Sequence, residues 1–438
     1  MTTLARSKTW VREYKSKLTT ARRAIETINS NDSIYIQSNA AAPTPLTDAL
    51  VGRSSDLKDV QIFHILTMGP AEYIKPEYSS AFKVHALFIG PNVRDAVNEG
   101  RADYTPAFLS EIPSLFYSRT LPLDVCLIQV SKPDEHGFCS YGVSVDCTLA
   151  ARKMAKIVIA EVNEQMPRTL GRSFVHISRL DHIVESDRPL PELLPRKPDS
   201  VSEQIGVNVA GLIEDGATLQ LGIGAIPDAI LKQLHNKNDL GIHSEMFSDG
   251  VIDLVDMKVI TNDKKTVLPG KIAVSFVMGS KRLYDFVDNN PLIEFQTSDY
   301  INDPYLIAQN YKMTAINSAL QVDLSGQVCS DSVGDRLYSG FGGQVDFIRG
   351  AARSQGGKSI IAIPATAKAD SISRIVTHLS KGSGVVTTRA DVRYVVTEYG
   401  IADLYGKNLK DRARSLIAIA HPDFRSQLEE ECKSVPWL

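Results

Sequence analysis

The stretch from Thr218 to Gly250 reads T-L-Q-L-G-I-G-A-I-P-D-A-I-L-K-Q-L-H-N-K-N-D-L-G-I-H-S-E-M-F-S-D-G and decides the fold of the chain. An apolar run ends at Gly222 and Gly224, and a Pro-Asp pair then opens a segment with apolar residues at helical spacing. The pattern predicts a strand, a turn and a helix. A second short strand follows and leads to Glu245. Because open parallel sheets bind ligands beyond the carboxyl ends of their strands, we expect Glu245 at the functional edge of an α/β sheet.

Two interpretations of this unit stay open on the residues alone. The G-x-G-x-x-P pattern approximates a dinucleotide-binding fingerprint, with Glu245 at about the 20-residue spacing of the ribose-binding acid. Alternatively, Glu245 is a nucleophile. Pro227 stands where the fingerprint has a third glycine or alanine, which weakens the first interpretation. Taken alone, such glycines most often form a tight strand-to-helix turn with no function of their own.

The length and composition bound the class of protein. At 438 residues a single core is not expected, and two domains are the default. The formal charge is −3 and no long basic run occurs, so no nucleic-acid or anionic-membrane partner is predicted. No apolar run reaches the roughly 18 residues of a membrane-spanning helix. The five cysteines form no C-x-x-C pair, so neither a disulfide framework nor a zinc site is predicted, and a reducing, cytoplasmic location fits best.

The N-terminal segment allows two interpretations. The sequence from Met1 to Ile25 is rich in Arg, Lys, Ser and Thr, with Glu13 as the only acid, which resembles a transit peptide. The apolar residues Trp10, Val11, Tyr14 and Leu18 are equally typical of an amphipathic surface helix. We prefer the surface helix.

The second half of the chain repeats the pattern of the first. Ile28–Leu50 and Ile213–Ile230 each give a turn, a short strand, a loop of small residues with proline, and a helix containing Asp-Ala. A nearly constant separation of equivalent positions predicts an α/β protein with two similar open α/β domains from an internal duplication. The separation is identical for Gly90 with Gly279 and for Gly137 with Gly326, and it is only slightly shorter for Ser38 with Gly222.

A proline-rich segment separates the two halves. Residues 189–202 contain four prolines among charged residues, which a regular helix or a central strand does not tolerate, so they are predicted to be a linker. The predicted domains are residues 1–188 and 203–438. Only the second carries an acid at this strand end, because the comparable segment His64–Gly69 has none. A single carboxylate favours one reaction centre over two equivalent binding domains.

A glycine-rich segment, S-G-F-G-G-Q at Ser339–Gln344, is the second candidate for chemistry. Gly340, Gly342 and Gly343 would expose backbone N–H groups to an approaching oxygen, as a phosphate cradle or an oxyanion hole requires. A flexible surface loop is less favoured, because the apolar residues within and after this segment are costly to leave in water. The sequence contains no G-x-S-x-G elbow, no H-E-x-x-H motif and no metal-ligand spacing of histidines.

Five motifs, taken together, resemble the acetyl-CoA hydrolase/transferase branch of the family I coenzyme A transferases, and especially the 4-hydroxybutyrate CoA-transferases. The resemblance extends from about Leu18 to about Leu428. The motifs are G-I-G-A-I-P-D-A-I-L, G-I-H-S-E-M-F-S-D-G, Y-I-N-D-P, A-I-N-S-A-L-Q-V-D-L-S-G-Q-V and S-G-F-G-G-Q-V-D-F.

The resemblance implies two similar open α/β domains and roles for individual residues. Glu245, in H-S-E-M-F-S-D-G, would be the catalytic glutamate, and Gly343 would supply an oxyanion-hole amide. Asn302, in Y-I-N-D-P, would line the site, and the loop of Met68 and Gly69 would add the first domain's part of the oxyanion hole. Further positions expected to bind substrate or CoA are Gly222, Gly224, Gly340, Gly342 and Gln344.

The reaction implied by the resemblance is a ping-pong CoA transfer from an acyl-CoA to a short-chain carboxylate through a glutamyl-CoA thioester. CoA esters would be substrates, no permanently bound cofactor or metal is expected, and a homodimer is expected. Three competing functions stay open: a CoA-ester hydrolase, an NAD-dependent dehydrogenase that uses the G-x-G-x-x-P turn, and a non-enzymatic nucleotide-binding subunit. The motifs do not specify the acyl group, because one methylene in an apolar pocket is worth only about 1–3 kcal/mol.

Overall fold

The computed structural model describes residues 3–195 and 197–438, and the chain divides into two compact units. The first unit comprises the chain up to Leu193 together with Val274–Tyr300. The second comprises Leu194–Ala273 together with Ile301–Leu438. The chain therefore passes from one unit to the other three times.

Helices and strands alternate along most of the chain. The α-helices are, in chain order, α1 (Thr3–Lys17), α2 (Ala21–Ile25), α3 (Thr44–Val51), α4 (Arg94–Asn98), α5 (Ile112–Tyr117), α6 (Thr148–Met154), α7 (Ser200–Leu212), α8 (Ala225–Lys232), α9 (Gly250–Asp256), α10 (Lys281–Val287), α11 (Ser298–Ile301), α12 (Pro304–Gln309), α13 (Gln344–Arg353), α14 (Leu409–Ala418) and α15 (Pro422–Lys433). The strands are β1 (Ser33–Ile36), β2 (Val60–His64), β3 (Phe82–Ala86), β4 (Asp103–Tyr104), β5 (Val125–Val130), β6 (Phe138–Ser140), β7 (Ile157–Asn163), β8 (Phe174–His176), β9 (His182–Ser186), β10 (Thr218–Leu221), β11 (Gly241–Ile242), β12 (Ile272–Val274), β13 (Ile293–Phe295), β14 (Met313–Asn317), β15 (Gln321–Asp323), β16 (Val328–Cys329), β17 (Ser332–Val333), β18 (Arg336–Leu337), β19 (Lys358–Ala362), β20 (Thr366–Ala367), β21 (Ile372–Ser373), β22 (Ile375–Val376), β23 (Tyr394–Thr397) and β24 (Gly400–Asp403). Short 3-10 helices cover Glu72–Ile74, Pro76–Tyr78 and Ile177–Arg179.

The first unit is built on a seven-stranded sheet in the order β4-β3-β2-β1-β5-β7-β9. All neighbouring strands in this sheet are parallel. Every residue of β5 is buried, which is typical of a central strand in a parallel sheet covered on both faces.

The second unit is built on a six-stranded sheet in the order β11-β10-β14-β19-β23-β24, in which only the edge strand β24 runs antiparallel. The predicted α/β class with two similar open domains is confirmed. The strands β2-β1-β5-β7 and β11-β10-β14-β19 follow the same order in the two sheets, as a duplication predicts. The duplication itself stays a prediction.

The predicted domains, 1–188 and 203–438, are continuous, whereas the first unit of the structure includes the later segment Val274–Tyr300. Bonds within the first unit hold this segment: the Leu193 N–H donates to the Gly279 carbonyl at 2.9 Å, and the Tyr284 hydroxyl donates to the Pro191 carbonyl at 2.7 Å. The boundaries at 188 and 203 stay predictions.

The proline-rich segment behaves as its composition suggests. The described residues between β9 and α7 form neither helix nor strand. Asp199 then caps α7 by accepting a hydrogen bond from the Ser202 N–H at 2.8 Å. The last three residues of the predicted linker, from Ser200, therefore already belong to a helix.

The surface helix expected near the N-terminus corresponds to α1. All five cysteines are free, and four of them are buried. Among residues 3–195 and 197–438, no helix combines the length and the apolar character needed to cross a membrane.

Candidate active site

Glu245 lies at the carboxyl edge of the second sheet, as predicted. Strand β11 pairs in parallel with β10, and Glu245 follows β11 by three residues. The Ser244 hydroxyl accepts from the Leu221 N–H at 3.3 Å and donates to the Leu221 carbonyl at 3.1 Å. These two bonds fix the residue before Glu245 to the end of β10. Glu245 as a whole is half-buried, whereas the residues on either side of it are buried.

Asn302 contacts the Glu245 carboxylate directly. Its amide Nδ2 donates to Glu245 Oε2 at 3.2 Å, and the residue is fully buried between α11 and α12. Its Oδ1 is also buried and has no hydrogen-bond partner among the described residues. Asn302 therefore orients one oxygen of the carboxylate and leaves an acceptor of its own beside it.

His243 ties the segment carrying Asn302 to the strand carrying Glu245. The imidazole Nε2 lies 2.9 Å from the Ile301 carbonyl, and because a carbonyl only accepts, the proton is on Nε2. Burial, with the nearby charge of Lys265, lowers the pKa of His243 to about 3. The neutral ring is thus a structural tether near neutral pH, which agrees with a hydrogen-bonded residue at a strand end rather than a proton donor.

Gly343 forms the third side of the site. A Cβ at this position would collide with Glu245 Oε2 and with Asn302 Nδ2, so only glycine allows this approach. Gly343 is also the N-cap residue of α13, and the first backbone N–H groups of a helix have no partner within the helix. The positive end of the α13 dipole therefore lies beside the carboxylate and favours negative charge there.

The core of the second unit anchors α13. Val345, Phe347 and Ile348 are buried, and the Phe347 ring packs edge-on against the His243 ring with centroids 6.3 Å apart. The glycine-rich segment is thus not a flexible surface loop at its C-terminal end. Its apolar residues hold the helix whose first turn faces Glu245.

The remaining predicted site residues of the second unit lie in two segments. Gly222 and Gly224 form the half-exposed turn after β10, and Gly224, with φ of +112°, is the N-cap of α8. Because Leu221 is bonded to Ser244, this turn begins next to the segment that carries Glu245. Gly340 and Gly342 precede Gly343, and the Gln344 amide donates to the Thr387 hydroxyl at 3.1 Å. The binding roles of these residues stay predictions.

Met68 and Gly69 lie in the loop after β2 of the first unit. The Met68 N–H donates to the Asn39 carbonyl at 3.1 Å, and Asn92 Nδ2 donates to the Gly69 carbonyl at 3.1 Å. With residues of β1 and α3 they line a narrow pocket of about 20 Å³. Their part in an oxyanion hole stays a prediction.

Lys265 is a residue that the sequence patterns do not single out. Its side chain is 4% exposed, and its Nζ donates to the carbonyls of Ile242 and Lys271, each at 2.5 Å. Burial lowers the pKa of Lys265 to about 7. A lysine after a short strand is normally a surface residue, so only the fold reveals that this one is buried.

The buried lysine predicts a pH dependence of stability. Because the pKa of Lys265 is lower in the folded than in the unfolded state, the unfolded chain binds more protons between about pH 7 and pH 10, and stability rises with pH in that window. We expect the wild-type free energy of unfolding to gain up to about 1.4 kcal/mol per pH unit relative to Lys265→Met. Urea unfolding at pH 7, 8 and 9 measures this difference.

A neighbouring lysine provides the control for that measurement. Lys264 is exposed, so Lys264→Met should keep the wild-type pH dependence. Equal slopes for the wild type and Lys265→Met would contradict the depressed pKa.

The geometry favours covalent chemistry at a carboxylate. Glu245 is oriented by an amide, lies beside a helix N-terminus and is only half-buried. In the described part of the chain, no group of three or more His, Cys, Asp or Glu side chains could hold a metal ion. The arrangement supports a nucleophile with oxyanion stabilisation next to it.

Comparison with known proteins identifies relatives along the whole chain. The sequence model of the acetyl-CoA hydrolase/transferase N-terminal domain matches residues 1–195, and that of the C-terminal domain matches residues 279–432. The chain is 55% identical over 424 residues to the 4-hydroxybutyrate coenzyme A transferase of Clostridium kluyveri, covering 97% of this chain and 99% of that protein. It is 51% identical over 403 residues to a succinyl-CoA:acetate/propanoyl-CoA:succinate CoA transferase of Fasciola hepatica, covering 91% of this chain and 84% of the relative.

A solved structure is similar over the same length. The crystal structure of a 4-hydroxybutyrate CoA-transferase from Porphyromonas gingivalis superimposes with a TM-score of 0.84 at 43% sequence identity. The match covers 97% of this chain and 99% of that chain. Sequence and fold therefore point to the same group of proteins.

Proposed function

Because the chain belongs to the acetyl-CoA hydrolase/transferase family and is a CoA-transferase, we propose that it moves CoA from an acyl-CoA to a free short-chain carboxylate of the 4-hydroxybutyrate or acetate type. The observation that carries the proposal for the site is the meeting of Glu245, Asn302 and Gly343 at the carboxyl edge of a parallel sheet. Relatives named for 4-hydroxybutyrate, succinate, acetate and propionate support this substrate class.

The proposed reaction begins with attack of the Glu245 carboxylate on the thioester carbonyl of the acyl-CoA. The C–S bond breaks, giving an acyl-glutamyl anhydride and CoA thiolate. The thiolate attacks the glutamyl carbonyl, forms a glutamyl-CoA thioester and releases the first carboxylate. An incoming carboxylate reverses these steps and leaves as the new acyl-CoA, so covalent catalysis divides one difficult exchange into easier ones.

The neighbours of Glu245 support the charge changes of this sequence. Asn302 Nδ2 holds Oε2 and so limits rotation of the attacking carboxylate. The Gly343 amide is proposed to bind the oxyanion that forms when a carbonyl is attacked, and one such donor is typically worth roughly 2.7–4 kcal/mol. Binding of the remote CoA portion can supply energy for desolvating the charged nucleophile.

Trapping the intermediate tests this proposal. Incubation with an acyl-CoA should add the mass of CoA, less water, to a peptide containing Glu245, and subsequent borohydride should reduce that thioester at Glu245 alone. A covalent adduct at another residue, or none under turnover conditions, would contradict the assignment.

The hydrolase is the second candidate on the same site, since it differs only in whether water or a carboxylate resolves the glutamyl thioester. Free CoA release, measured with and without added acetate across a panel of acyl-CoA donors, separates the two. We expect acetate to divert CoA into acetyl-CoA and suppress free CoA. Unchanged release would favour the hydrolase.

The relatives argue against two of the competing functions, the NAD-dependent dehydrogenase and the non-enzymatic nucleotide-binding subunit. The dehydrogenase rested on the turn at Gly222 and Gly224 alone, but the relatives that match nearly the whole chain are CoA transferases. The same relatives argue against a non-enzymatic nucleotide-binding subunit. A homodimer and a cytoplasmic location stay predictions.

A further inference from the structure

The segment Val259–Ala273 is an interrupted neighbour of the strand that leads to Glu245. It pairs in parallel with the chain at both ends of β11, but between these points it leaves as the Thr261–Lys271 loop, opposite Ile242. A ladder of backbone bonds is thus broken at one position, three residues before the nucleophile. The surviving bonds run from the Leu240 N–H to Val259 at 2.8 Å, from the Thr261 N–H to Leu240 at 3.0 Å and from the Ser244 N–H to Ala273 at 3.0 Å.

Two side chains supply the hydrogen-bond acceptor and donor that a neighbouring strand would have offered to Ile242. The Ile242 N–H donates to Asn262 Oδ1 at 2.9 Å, and Lys265 Nζ donates to the Ile242 carbonyl at 2.5 Å. The same nitrogen donates to the Lys271 carbonyl at the far end of the loop, also at 2.5 Å. Asn262 and Lys265 therefore close the ladder where the neighbouring strand is missing.

This arrangement is built into the packing of the strand. The Lys265 stem crosses Gly241, where a Cβ would collide with it, and Asn262 is fully buried. Burying a lysine next to backbone carbonyls has a free-energy cost, which its depressed pKa reflects. An apolar residue could fill the space without that cost but could not bind the Ile242 carbonyl.

We propose that Lys265 and Asn262 are positioning residues for Glu245, because their side chains replace the missing strand backbone opposite Ile242 and fix the end of β11 that carries the nucleophile. The inference rests on the proposed role of Glu245. It assigns no contact with substrate to either residue. Their effect on the reaction passes through the backbone of Ile242, His243 and Ser244.

Matched variants at Asn262 test the proposal. Asn262 has φ of +64°, so Asn262→Gly removes the acceptor without backbone strain, whereas Asn262→Asp keeps an oxygen at the same place. We expect Asn262→Gly to lower kcat about 10- to 100-fold with KM for the acyl-CoA nearly unchanged, since a small misplacement of a reacting group costs up to about 100-fold. Asn262→Asp should restore most of kcat.

Lys265→Met provides the second line of evidence, with controls from the same loop. Like Asn262→Gly, it should lower kcat and leave KM for the acyl-CoA nearly unchanged. Lys264→Met changes an exposed lysine, and Val267→Ala weakens the packing of the loop without touching the Ile242 bonds, so both should keep kcat near the wild-type value. A fall of kcat in Val267→Ala equal to that in Lys265→Met would reduce Lys265 to a purely structural role and overturn the proposal.

Amide hydrogen exchange gives a readout that does not depend on activity. The peptide spanning 240–246 should exchange faster in Asn262→Gly and in Lys265→Met than in the wild type, Asn262→Asp or Lys264→Met. The proposal would be refuted if Asn262→Gly kept both the wild-type exchange rate and the wild-type kcat. If Lys265→Met does not fold, the comparison of Asn262→Gly with Asn262→Asp decides by itself. Full activity of Glu245→Gln would instead refute the proposed nucleophile, so the two failures are distinguishable.

Discussion

Replacing Glu245 with alanine is expected to abolish CoA transfer, with a loss on the order of 10⁶-fold in kcat, the scale seen when a protease loses its nucleophile. The loss is chemical, because alanine has no carboxylate on which the glutamyl-CoA thioester can form. The half-buried position of Glu245 means that the fold should survive, with a cost of about 1–3 kcal/mol for the Asn302 amide left without its partner. Steady-state transfer assays and thermal unfolding measure the two effects separately.

Glu245→Gln is the matched control for that experiment. Its side-chain carbonyl can still accept from Asn302 Nδ2, so its thermal midpoint should stay closer to the wild-type value than that of the alanine variant. It cannot act as a carboxylate nucleophile, and its kcat should be equally low. Substantial turnover by freshly prepared Glu245→Gln would rule out the covalent mechanism at this residue.

Replacing Gly343 with valine is expected to lower kcat by about 100-fold, because the backbone N–H remains but a misplacement of about 1 Å of reacting groups costs on that order. Any Cβ at position 343 must displace Glu245 Oε2 and Asn302 Nδ2, so both the nucleophile and its neighbour shift. Binding of CoA, measured by calorimetry, should weaken much less than kcat falls, because most of that ligand lies away from the reacting carbonyl. Equal losses of turnover and of CoA binding would indicate that the segment is only structural.

Gly211→Ala serves as the control for that substitution. Gly211 lies in α7, is exposed, and has no atom within 4 Å of the position of an added Cβ. Alanine there is expected to leave kcat unchanged and to stabilise the helix slightly. The contrast separates a side chain added inside the site from one added on an exposed helix.

The sequence predicted the position of Glu245 because two local patterns, a strand-turn-helix unit and a second short strand, fix where a parallel sheet ends. It also identified Asn302 and Gly343, through motifs whose combination is specific although each is short. Periodicity could not predict that Gly343 lies against the carboxylate, since that contact joins residues far apart in the chain. The resemblance provided that pairing, and the structure provided the geometry.

The sequence did not reveal Asn262 and Lys265, whose side chains bind the backbone of Ile242. Asn262 and Lys265 lie in a polar stretch that reads as an ordinary surface turn, and nothing in their spacing marks them as substitutes for a strand. For a related reason, the sequence patterns gave no sign that Val274–Tyr300 belongs to the first compact unit. A prediction from local patterns assumes continuous domains, whereas the pairing of distant segments depends on the whole fold.

That discontinuity bears on how the chain acquires its structure during synthesis. The first unit needs β13, whose Phe295 exchanges backbone hydrogen bonds with Leu170 and Arg172, so it cannot be completed until synthesis has passed Phe295. By then the first stretch of the second unit, Leu194–Ala273, has already been made without the strands β14 and β19 of its own sheet. The first unit therefore does not have its whole sequence until residues 194–273 of the second unit have also been made, so the usual N-terminal-first order applies to it only after synthesis has passed Tyr300. Each unit needs sequence that lies beyond a part of the other, and the first unit has its full sequence before the second does.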